Sequence, residues 1–149
     1  MQTFKEFTYA AVATPPYIVE KDYFHGTSAA DFTEFRDGLI YLAPAPEEAL
    51  AFAVNPILGG GRGKGQPRVM KVQAKPGKSK NIDDAVMDAL MNDDDIDEVI
   101  EQEATKARQE GFRYMTFHHP SSVDGSDEFE ATISLYPKQD LKITQTVKV

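Results

Sequence analysis

A chain of 149 residues has the size of one globular domain, and its 41% apolar content, with nine Phe and six Tyr, suffices for a core without cross-links. It has no cysteine, which excludes disulfides, thiolate catalysis and Cys-ligated zinc. The net charge of −8 is concentrated, with ten acidic residues and no Lys or Arg between Lys80 and Lys106, so phosphate-backbone binding on that segment, and direct nucleic-acid binding generally, is not expected.

The opening residues Met1-Gln2-Thr3-Phe4-Lys5-Glu6 lack the charged-then-apolar pattern of a leader. No apolar run approaches the roughly 20 residues of a membrane span, so a soluble, cytoplasmic protein with no membrane partner is the expectation. Pro15-Pro16 sets a short N-terminal segment apart from Tyr17-Ile18-Val19, and Tyr23-Phe24-His25 reads as a short strand. Ser28-Ala29-Ala30-Asp31 has the Ser-x-x-acid spacing that caps a helix start, with Phe32 and Phe35 on the buried side of a short helix that Gly38 breaks. Leu39 to Ala43 is a second strand. Pro46-Glu47-Glu48-Ala49 opens a helix that runs to about Asn55-Pro56, its acids complementing the dipole.

The Gly59–Gly65 run reads as a loop, and it lacks the Gly-Lys-Ser/Thr of a phosphate loop. Arg68 to Ala74 alternates like a strand, which Lys75-Pro76-Gly77 ends. The acidic segment 82–109 divides at Asn92 into two amphipathic helices, the second started by Asp93 to Asp95 and stopped by Gly111. Phe112 to Phe117, Phe129 to Tyr136 and Leu141 to Val149 are three further strands. There is no internal repeat and no regular strand–helix alternation. The expectation is a single domain over 1–149, of α+β class with largely antiparallel pairing.

Three separated signals align: Phe24-His25-Gly26-Thr27 closing a strand, Gly38-Leu39-Ile40-Tyr41-Leu42-Ala43 before a helix with Phe52, and Glu128-Phe129-Glu130 entering a late strand. This order resembles the ADP-ribosyltransferase superfamily on its diphtheria-toxin and poly(ADP-ribose) polymerase side. That side uses a His-Gly-Ser/Thr strand, a Gly-Ile-Tyr-Phe-Ala strand, a second aromatic eleven residues after the Tyr, and a late Glu. Phe52 falls at that offset from Tyr41. In spacing the chain is most similar to small phage-encoded members, through Val69 to Pro76, Gly111-Phe112 and Pro137-Lys138-Gln139-Asp140-Leu141. The similarity covers a core of about residues 22–143.

The resemblance implies split antiparallel sheets with peripheral short helices around an NAD cleft. It also implies mono-ADP-ribosyl transfer from NAD, as substrate, to a protein target. For a phage-encoded protein that target would be a host protein, met in the host cytoplasm. His25 would then bond the adenosine-side ribose, Gly26 the nicotinamide amide through its backbone, and Tyr41 and Phe52 would flank the nicotinamide, with Thr27 completing the motif. Glu130 would stabilise the oxocarbenium-like cation, a role that preorganised charge serves well. Counting back from Gln139 with polymerase spacing lands on Thr132, two residues late. The acid is therefore Glu130, or Glu128 on the same strand face, or it is lost.

Two other readings stand beside transfer. One is NAD hydrolysis, with water as the acceptor. The other is a non-enzymatic interaction or inhibitor protein that works through its acidic helices. His118-His119 with Asp124 and Asp127 matches no standard ligand spacing, and no metal is expected.

Overall fold

The computed structural model describes residues 17–18, 21–27, 34–54, 67–119 and 129–148. Outside them lie the N-terminal segment, the expected cap at Ser28 to Asp31 with Phe32, the Gly59–Gly65 run, Asp124, Asp127 and Glu128. Phe52 is described in its backbone alone.

The architecture is mixed α+β, with two sheets and four helices among the described residues. The strands are β1 (Tyr17–Ile18), β2 (Asp22–Thr27), β3 (Ile40–Leu42), β4 (Arg68–Ala74), β5 (Gly77–Asn81), β6 (Tyr114–His119), β7 (Phe129–Ser134) and β8 (Leu141–Lys148). The helices are α1 (Pro46–Val54), α2 (Asp83–Met91), α3 (Ile96–Gln109) and the short α4 (Pro137–Asp140). The larger sheet has the order β1-β5-β6-β7-β3 and the smaller β2-β4-β8. All neighbours pair antiparallel except β5 and β6. A parallel pair needs a long crossover, and α2 and α3 supply it.

Strand alternation divides the interior in two. Met115, Phe117, Ala131 and Ile133 of the larger sheet meet Val86 of α2 and Ile100, Ala104 and Ala107 of α3 in one core. The opposite face contributes Leu42 and Tyr114 to a second core, between the sheets, with Tyr23, Met70, Val72 and Ala74. On β4 the even-numbered residues, Arg68 to Ala74, are buried. Ala104 and Ala107 let α3 approach the sheet closely because they carry almost no side chain.

The caps follow the expected chemistry. Asp95 accepts from the backbone N–H groups of Asp97 (3.0 Å) and Glu98 (3.4 Å), satisfying two donors that the first helical turn leaves unpaired. Gly111, at φ +88°, carries the chain out of α3 through the left-handed region.

Two elements depart from the expectation. Lys75-Pro76 ends β4, but pairing resumes at once as β5, whose buried positions are Gly77 and Ser79. No apolar alternation marks such a strand. The strand expected to reach Tyr136 stops at Ser134, because Pro137 has no N–H to give a ladder and opens α4 instead.

A candidate site where the two sheets part

β2 meets the residue that follows β3, Ala43, at an isolated bridge. Phe24 N–H donates to the Ala43 carbonyl (2.9 Å), and Ala43 N–H donates to the Phe24 carbonyl (2.8 Å). Beyond it the strands diverge, β2 running into the smaller sheet and β3 into the larger. Successive strand residues direct their backbone groups to alternate sides. Gly26 therefore shares the orientation of Phe24 and turns its N–H and C=O away from β4. Outside the strand ladders, no backbone hydrogen bond from a described residue reaches them.

His25 holds this wedge. Its Nδ1 lies 2.8 Å from the carbonyl oxygen of Tyr41, so Nδ1 carries the hydrogen and Nε2 is the acceptor in the neutral ring. Phe35 meets the imidazole edge-on, with centroids 5.4 Å apart. Burial holds the His25 pKa below its ordinary value; the bond to Tyr41 works against this, and the nearby Arg68 guanidinium adds to it. Arg68 itself is 2% exposed, a cation enclosed in the cleft wall beside Thr27, its cross-strand partner.

Gly26 has a second constraint. A Cβ there would stand 1.7 Å from the carbonyl oxygen of Ala49, so α1 packs on β2 only because this residue has no side chain. The buried Ala49 and Ala53 complete that close contact.

Glu130 lies on the cleft side of β7. Ala131 and Ile133 point into the helix-covered core, so Glu130 and Thr132 point the other way. Glu130 is exposed, and its charge reaches Tyr23, whose hydroxyl is pushed up to about 12 mainly by burial and then by that carboxylate. The structure thus brings His25, Gly26, Thr27 and Glu130 to the region between the sheets. Tyr41 joins them through its carbonyl, whereas its ring packs on the helix-covered core, edge-on to Phe117 at 6.4 Å. The physical reason is alternation, since its neighbours Ile40 and Leu42 fill the inter-sheet core.

Sequence reading did not single out Tyr23, Arg68 or Asp83. Asp83 begins α2, and its Oδ1 accepts from the backbone N–H of His118 (2.7 Å) while its Oδ2 lies 3.1 Å from His118 Nδ1. Asn81 clamps the same carboxylate by donating from Nδ2 to Oδ2 at 3.1 Å. Burial opposes ionisation of Asp83, but the bonds from His118 and Asn81 prevail and hold its pKa below the usual range. His118 is the cross-strand partner of Glu130. Only the spatial pairing of β6, β7 and the start of α2 makes this row visible.

A groove of about 470 Å³ lies elsewhere, on the outer face of the smaller sheet, lined by Phe24, Leu50, Val69, Lys71 and Val147 among others. Phe24 and His25 point to opposite faces of β2, so this groove is not continuous with the wedge across that strand. Its walls are mostly apolar, with Glu47, Lys71 and Gln145 as the polar lining.

Among the described residues no three His, Asp or Glu side chains gather as a metal would require, and no helix is long and apolar enough to cross a membrane. No protein-family model matches this sequence, and no curated protein matches it.

Proposed function

We propose that the chain binds NAD in the wedge between β2 and β3 and transfers its ADP-ribose to a protein target, on an ADP-ribosyltransferase-like fold. The observation that carries this reading is the open edge at Gly26. One N–H and one C=O side by side complement a primary carboxamide, which offers one carbonyl and one NH₂, and nicotinamide is such an amide. His25 Nε2, an acceptor in the neutral tautomer, suits a ribose hydroxyl. Glu130 supplies a carboxylate for the ribose cation that grows as nicotinamide leaves. Tyr41 enters this reading through the carbonyl that fixes His25.

The test is incubation with adenylate-labelled NAD and cell lysate. Label transferred to a macromolecule by the wild type, and lost in both His25→Ala and Glu130→Gln, supports the proposal. Equal labelling by the variants contradicts the assigned roles. Free ADP-ribose without labelled protein indicates NAD hydrolysis instead.

A second reading is favoured by α2. Met87, Leu90 and Met91 are 55%, 41% and 77% exposed on one helix, among the carboxylates of Asp84, Asp88 and Asp93 to Asp95. An apolar stripe ringed by acids suits a basic partner. That reading expects salt-sensitive partner binding that survives Glu130→Gln and is lost on charge reversal at Asp93, Asp94 and Asp95.

A further inference from the structure

Helix α2 divides its surface in two. Val86 and Ala89 are buried against the body of the protein. The other side carries Met87 and Met91, one helical turn apart, with Leu90 beside them. Of the five exposed large apolar side chains among the described residues, these are three. Residues three apart are neighbours on a helix, so Asp84 borders Met87 and Asp88 borders Met91 as a second row. Asp93, Asp94 and Asp95 stand beyond the end of the stripe. All of these carboxylates are exposed, and none forms an ion pair with a described residue. The cations within segment 82–109 are Lys106 and Arg108, near the far end of α3, and Lys106 is paired with Glu103.

We propose, resting on the basic-partner reading of α2 above, that this face docks a basic amphipathic helix supplied by another protein. The apolar side of that helix lies on Met87, Leu90 and Met91. Its Lys and Arg side chains lie over the Asp84–Asp88 row and over Asp93 to Asp95. Carboxylates on the flank and at the end of the stripe, without internal cations, set a negative potential that draws a positive partner and repels an acidic one. A second copy of this chain is a poorer occupant, since α2 meeting α2 would bring the two acidic rows together.

That the occupant is helical follows from where its backbone hydrogen bonds can go. The main chain of α2 is bonded within the helix. As the helix ends, the carbonyls of Asp88, Ala89 and Leu90 accept from the N–H groups of Asn92 (3.0 Å), Asp94 (2.8 Å) and Asp93 (3.4 Å). The stripe therefore offers an incoming chain side chains only. An extended segment laid on Met and Leu would bury N–H and C=O groups that nothing there can pair. A helix satisfies those groups internally. It also presents apolar residues at spacings of three and four, as Met87, Leu90 and Met91 do. Methionine is unbranched and adaptable, so the stripe fits apolar side chains of differing shape.

The test titrates the full chain with a synthetic Leu/Lys peptide of about 14 residues, largely unfolded alone, whose leucines share one face when it is helical. A scrambled peptide of the same composition keeps the charge and spreads the leucines around the helix. The first peptide is expected to gain helical circular dichroism on binding, to shift the amide resonances of residues 84–95, and to bind at least about 10-fold tighter than the scrambled one. Met87→Ser with Met91→Ser, at unchanged net charge, should erase that preference. Asp84→Lys with Asp88→Lys should weaken both peptides, and thermal melts check that each variant folds. Equal binding of the two peptides, untouched by the Met variant, overturns helix docking and leaves the basic-partner reading intact. Binding of neither peptide, or binding indifferent to the charge reversal, overturns both. Self-association of the wild type in sedimentation that the Met variant abolishes gives the stripe to a second copy and overturns the proposal.

Discussion

His25 and Tyr41 are joined side chain to main chain, Nδ1 to carbonyl oxygen at 2.8 Å, across the point where the two sheets separate. This bond does two things at once. It closes one polar group of β3 that divergence would otherwise leave without a strand partner, and it dictates which imidazole nitrogen faces the wedge. A buried carbonyl without a donor costs about 1–3 kcal/mol, so the bond is a structural requirement as well as a functional one.

The pH dependence of stability follows from the direction of the His25 shift. Its pKa in the fold lies below the ordinary value, so as pH falls the unfolded chain takes up the proton first. Its contribution is whole above the unfolded pKa of about 6.5 and declines as pH drops below it. Urea denaturation at a series of pH values should show wild type losing stability there, and His25→Gln should show a shallower loss.

Gly26→Ala should destabilise the chain by about 3 kcal/mol or more, since its Cβ would meet a main-chain oxygen at 1.7 Å. The obstacle is the Ala49 carbonyl, which every residue type carries. Adding Ala49→Gly should therefore fail to restore stability. Thermal melts of the single and double variants check this, and full rescue would contradict the packing described.

A second structural staple joins the residue before β6 to the short helix α4. Arg113 donates from Nε to Asp140 Oδ2 and from Nη2 to Asp140 Oδ1, each at 2.9 Å, and its guanidinium lies 4.1 Å from the Tyr136 ring centre. Asp140 is buried while Arg113 is about one-third exposed, which moderates the cost of breaking the pair. Asp140→Asn should cost about 2 kcal/mol. Arg113→Lys keeps the charge but loses the two-pronged geometry, and about 1 kcal/mol with it. Chemical denaturation of both variants measures the two effects.

The elements legible in the sequence were those written in side-chain periodicity. The buried Ile100, Ala104 and Ala107 fall at helical spacing, and the buried even positions of β4 alternate. β5 was not legible, because Gly77-Lys78-Ser79-Lys80-Asn81 buries only Gly and Ser, which read as loop residues. Its strand identity comes from pairing with β1 and β6, a long-range fact. The site divides in the same way. His25, Gly26 and Glu130 were expected from motif order, and they reach the inter-sheet region. The ring direction of Tyr41 depended on which of two cores lay on which face of β3, and a strand flanked by apolar layers on both sides leaves that undetermined. The Asp83–His118 contact joins residues 35 positions apart, and no local pattern announces it.

The most direct test is the response of backbone amide resonances to nicotinamide alone. Nicotinamide carries the carboxamide but neither ribose nor phosphate, so it isolates the contact proposed at the open strand edge. The expected result is a saturable shift of the Gly26 amide, with His25 and the Tyr41 region following. Shifts confined to Phe24, Val69, Lys71 and Val147 in the outer groove, or no saturable shift, would contradict NAD binding in the wedge.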